Sequence, residues 1–137
     1  MSDEFNNWSQ IADALAEASD QMVRKSAFDI QGGYQARAKV VTGFMKNSAY
    51  VVTSADSNYG SVQQPQKDQV LLPEVEKPDD NHTAIVAIGA EYALPMEFGT
   101  IHMPAHPALV PAVEAVRPSF EAAMGKIEDK LKEVRGG

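Results

Sequence analysis

The chain has 137 residues, 44% of them apolar, a formal net charge of −7 and no cysteine. This length suffices for a hydrophobic core, and the apolar share argues against wholesale disorder. The missing cysteines exclude a disulfide framework, a thiolate metal site and a cysteine nucleophile. The acidic balance disfavours a grip on nucleic acid, which depends on Lys and Arg meeting phosphates.

No apolar run approaches the roughly 20 residues of a membrane span. The opening Met1-Ser2-Asp3-Glu4 is polar and acidic, unlike a signal peptide. The expectation is one soluble domain over 1–137, intracellular when made, with residues 1–7 flexible. The acidic residues gather in 1–30 and 55–80.

From Trp8 onward, Ile11, Leu15, Ala18 and Met22 recur at three- and four-residue steps, which predicts a long N-terminal helix with one apolar face. Asn6, Asn7 or Ser9 would cap it. Gly32 and Gly33 interrupt the pattern, and each glycine costs a helix interior about 1 kcal/mol against alanine. The helix is therefore expected to bend there or to end near Gln31. Thr42-Gly43 marks a turn before a strand over 48–54, with Tyr50 and Val52 on one face and Val51 and Thr53 on the other. Residues 55–82 read as a long hairpin arm or loop, within which Val70-Leu71-Leu72 could pair as a short strand. Residues 83–90 form the clearest strand, with Val86 and Ile88 facing one way and Ile85 and Ala87 the other. Both faces are apolar, so both are expected to be covered.

Residues 92–107 are punctuated by Pro95, Pro104, Pro107 and Gly99 and read as a stiff connector around a buried Phe98. Beyond it, Leu109, Val113, Val116, Phe120, Met124, Ile127, Leu131 and Val134 predict a long C-terminal helix, kinked or split at Pro118. The fold class is α+β: a long N-terminal helix, a small mostly antiparallel sheet of three to four strands, and a C-terminal helix packed on that sheet.

Reactive chemistry is sparse. His102 and His106 are four residues apart but sit among prolines, without the glutamate of a zinc-protease motif. Glu97 stands alone, with no second carboxylate at close spacing for acid–base work. Gly32-Gly33 lacks the rest of a phosphate loop, and no Gly-x-Ser-x-Gly elbow exists. No enzyme activity, cofactor or metal is expected.

Residues 89–112 nevertheless form a distinctive pattern. Gly89-Ala90 precedes Tyr92-Ala93, followed by Glu97-Phe98-Gly99-Thr100, Met103-Pro104-Ala105, Pro107-Ala108-Leu109 and Pro111-Ala112. Upstream stand Thr42-Gly43, Met45-Lys46 and Ser48. This arrangement resembles the tail-completion, or minor tail component, proteins that join head to tail in long-tailed bacteriophages. That family carries a Tyr-Ala pair, a Glu-Phe-Gly-Thr box, a Met-x-Ala and a Pro-x-Leu leading into its last helix. Pro95, Ala108 and Val110 depart from its usual residues.

The resemblance implies a non-enzymatic virion protein, made in the host cytoplasm. It would form a ring, taken as sixfold, at the neck or upper tail. Its partners would be further copies of itself and neighbouring neck, tail terminator or tail tube proteins. DNA would pass through without specific binding, and no membrane would be involved. Tyr92, Glu97, Phe98, Gly99, Thr100, Met103, Pro104 and Pro107 would anchor the loop or contact a neighbouring subunit, and Thr42 and Gly43 would turn the chain before its first strand. The alternative is a small α+β binding or regulatory domain with no virion role.

Overall fold

The structure, a computed structural model, describes residues 2–38 and 43–136, with the backbone alone for 2–9, 131 and 134–136. Its elements in order are helix α1 (Ser2–Arg37), strand β1 (Ala49–Thr53), strand β2 (Ala84–Ile88), short helix α2 (Ala93–Phe98) and helix α3 (Leu109–Gly136). Single 3-10 turns lie at Lys46–Ser48 and Tyr59–Ser61. The class is α+β as expected, but among the described residues the sheet has two strands rather than three or four.

α1 begins at Ser2, so residues 2–7 are helical and Asn6, Asn7 and Ser9 lie inside the helix instead of capping it. It also runs unbroken through Gly32-Gly33. The reason is tertiary. A Cβ on Gly33 would lie 3.3 Å from the Cβ of Ala112, so glycine lets α3 approach α1 closely. Gly32, by contrast, faces open space. Gly33 beside Ala112 and the Ser19 hydroxyl beside the Met124 sulfur, 3.7 Å apart, show that the two helices run antiparallel.

α3 continues through Pro118 without splitting. Its principal partner is α1, not the sheet; it meets β1 and β2 only at its first turn. There Ala108, Ala112 and Leu109 join Tyr34, Ala38, Ala49 and Ile88 in one core cluster.

β1 and β2 pair antiparallel with Val51 opposite Val86. The alternation follows the expected faces. Ala49 and Ile88 belong to the α1 side, while Tyr50, Val52, Ile85 and Ala87 pack under Tyr59, Val62 and Leu71 on the other. Both faces of the sheet are thus covered, one by helices and one by the folded-back loop.

Residues 55–82 lie against the body. Arg24 makes a two-pronged pair with Asp56 at 2.9 and 2.8 Å. His82 Nδ1 meets Asp20 at 2.6 Å, and the amide of Val75 donates to the Tyr50 hydroxyl at 3.0 Å. The expected third strand at 70–72 is a single bridge, Leu71 to Ala90. Thr42 lies outside the described residues; Gly43 has φ +80, a conformation that suits glycine.

Candidate functional site

The stretch 92–107 is a compact hairpin built on a helix that its prolines had concealed. Pro95 sits at the third position of α2, where its missing N–H costs nothing because first-turn donors have no intrahelical partner. Met96 is buried beneath that helix. α2 stops at Gly99, whose φ of +78 suits glycine, and a Cβ there would fall 2.8 Å from the Ala105 nitrogen. Thr100 and Met103 then bridge across a tight turn, and the His106 amide returns to the Met96 carbonyl at 2.7 Å.

Glu97 locks this hairpin to α3. One carboxylate oxygen accepts the amides of Ala108 and Leu109, each at 2.8 Å, and the other accepts that of Val110 at 2.9 Å. Ala108 stands at the N-cap position with no side-chain acceptor, so a remote carboxylate supplies the cap. Pro111 has no N–H to satisfy, and the Ala112 amide bonds back to the Ala108 carbonyl. The negative charge also faces the positive end of the helix dipole. Burial pushes the Glu97 pKa up, but the three amide donors outweigh it and hold the group below its usual 4.5.

Beneath lies Tyr34, 2% exposed, whose hydroxyl has no hydrogen-bond partner among the described residues. Burial, with the Glu97 charge adding to it, raises this phenol to about 12. Sequence reasoning missed Tyr34, because only the fold brings it under the hairpin.

The remaining expected site residues fall on the outside. Phe98, expected buried, is 69% exposed, because α2 is too short to bury two faces and commits Met96 inward. Tyr92 is also exposed, its hydroxyl 3.6 Å from the Met103 sulfur. Pro104 and Pro107 are exposed and frame the return of the chain, while Met103 is half-buried. Leu94, one helical turn from Phe98, together with Ile101 (94% exposed) and Val110 enlarges the apolar surface. Apolar residues at these positions were visible in the sequence, but their direction was not.

His102 and His106 each use their backbone amide within the hairpin, on Thr100 Oγ1 and the Met96 carbonyl. Among the described residues no group of three or more His, Asp or Glu is placed to hold a metal ion. Elsewhere a cleft of ≈ 350 Å³ is lined by Gln31, Gln35, Asn47, Asn58, Ser61 and Gln63, amides and a hydroxyl suited to hydrogen bonding.

No protein-family model, curated protein or solved structure matches this chain.

Proposed function

We propose that this chain is a structural protein of a tailed phage, acting at the neck or upper tail in tail completion and head–tail joining. The observation that carries the reading is the hairpin 92–107. Its backbone is held by Gly99 and by three hydrogen bonds to Glu97, while Phe98 and Ile101 project into solvent. A large apolar surface on a rigid support fits a permanent protein contact better than a mobile loop does. Glu97, Phe98 and Gly99 belong to the Glu-Phe-Gly-Thr box that carries the family resemblance; Ile101 lies just outside it.

Rigidity matters in a ring, since closure requires each contact to repeat the same angle. In this reading the exposed side chains of the hairpin seat on the neighbouring subunit, copies close into a sixfold ring, and the net negative charge lets DNA slide through. Neighbouring neck, terminator or tube proteins stack on that ring.

The test is electron microscopy of tails assembled with and without the protein. Tails that form without it but fail to join heads are the expected result. Phe98→Asp with Ile101→Asp should reproduce that defect while leaving the circular dichroism of the isolated protein unchanged. Normal joining by the double variant would overturn the reading.

A further inference from the structure

The two edges of the small sheet are treated differently. In an antiparallel pair, alternate residues turn their backbone groups toward the partner strand and outward. On β1 the outward residues are Ala49, Val51 and Thr53, and each has bonds on that side. The Gln31 amide donates to the Ala49 carbonyl at 2.9 Å. The Val51 amide donates to Asn58 Oδ1 at 2.7 Å, and the Val51 carbonyl accepts the Asn58 amide at 3.2 Å. The Thr53 amide donates to the Asp56 carbonyl at 2.8 Å.

On β2, the Gly89 amide donating to the Ser48 carbonyl fixes the phase. Ile85 and Ala87 point at β1, and Ala84, Val86 and Ile88 point outward. Those three outward residues have no backbone or side-chain partner among the described residues. The bridge from Leu71 to Ala90 does not cover them. Gly89 donates to Ser48 and accepts from Leu72, so residues 70–72 continue the line of β1 on the inner side.

We propose that the open edge of β2 binds β2 of a second copy of this chain, antiparallel and centred on Val86, giving one continuous four-stranded sheet. The occupant follows from the symmetry of the edge. The outward residues lie at equal steps on either side of Val86, so a two-fold axis through Val86 pairs Ala84 with the partner's Ile88 and returns every donor to an acceptor. The strand Ala84-Ile85-Val86-Ala87-Ile88 carries none of the charges or prolines with which monomeric proteins guard a free edge. The side chains of the sheet are already committed to its two covered faces, so the new contact is made through the backbone. This inference rests on the sheet edge and not on the hairpin 92–107, so it stands or falls separately from the virion reading.

Residue-resolved amide exchange on the full chain tests it, alongside sedimentation, from dilute to concentrated solution. The expected result is a dimer whose formation slows Ala84, Val86 and Ile88 by about tenfold or more, while Ile85 and Ala87 are slow throughout. Ala84→Pro removes one outward donor from each copy, two in the dimer, at the first residue of the strand, where proline is tolerated. It should weaken the dimer by about tenfold or more. A protein that stays monomeric with those three amides fast, or an oligomer in which they stay fast, overturns the proposal. If Ala84→Pro fails to fold, exchange on the unaltered chain still decides. A protected dimer that never joins tails would sink the virion role alone.

Discussion

Ala108 occupies the N-cap of α3 and offers no acceptor, so three amides depend on a carboxylate 11 residues away. Hydrogen bonds to a charged group are worth about 1.5–3 kcal/mol each when a partner is lost. Glu97→Gln keeps one acceptor but turns an NH2 group toward an amide, and should cost about 1–3 kcal/mol at neutral pH by urea unfolding. The pH dependence has a definite sign. The folded pKa of Glu97 is depressed, so its contribution is fully present above 4.5 and fades as pH falls through the folded value. The gap between wild type and Glu97→Gln should therefore close in acid; a gap that widened there would contradict the cap. In the sequence Glu97 read as a lone carboxylate near a turn. Which amides it would meet was hidden, because the contact crosses from α2 to α3.

At the scale of elements, the repeats that bury side chains were readable and the exceptions were set by neighbours. The apolar spacing of α1 and α3 and the alternation of β1 and β2 predicted their type correctly. Gly32-Gly33 suggested a break because helix propensity sees only the local chain; the close approach of Ala112 overrides it. α3 was expected on the sheet but meets it only with its first turn and otherwise packs on α1; a one-sided stripe does not say which apolar surface it will meet. α2 was missed because its first-turn proline reads as a breaker. The two glycines give a paired test. Gly32→Ala meets nothing within 4 Å and should stabilise by about 0.5–1 kcal/mol. Gly33→Ala adds a methyl 3.3 Å from Ala112 and should lose that gain or destabilise, as thermal melts of the two variants would record.

Across the whole molecule, burial is concentrated at one end. Tyr34, Ala38, Ala49, Tyr50, Val51, Val52, Ala108 and Ala112 are buried where the helices meet the sheet. Along residues 10–25 and 113–130 no described side chain is fully buried; Ile11, Leu15, Met22, Val116, Phe120, Met124 and Ile127 are half-covered. The far end of the helix pair thus has fewer apolar contacts holding it shut. Amides there should exchange by local opening, faster than those of residues 34–38 and β1, in hydrogen exchange at neutral pH. Uniform protection along both helices would show that the seam is tighter than its exposure suggests.

The antiparallel pairing of α1 with α3 also bears on synthesis. The main partner of α1 leaves the ribosome after the sheet, the folded-back loop and the hairpin 92–107. Until α3 emerges, the apolar stripe of α1 lacks its main cover, and the Glu97 carboxylate has no helix end to hold. The chain therefore completes its core in one late step, and a truncation before Leu109 would leave α1 exposed to chaperones rather than yield a smaller folded domain.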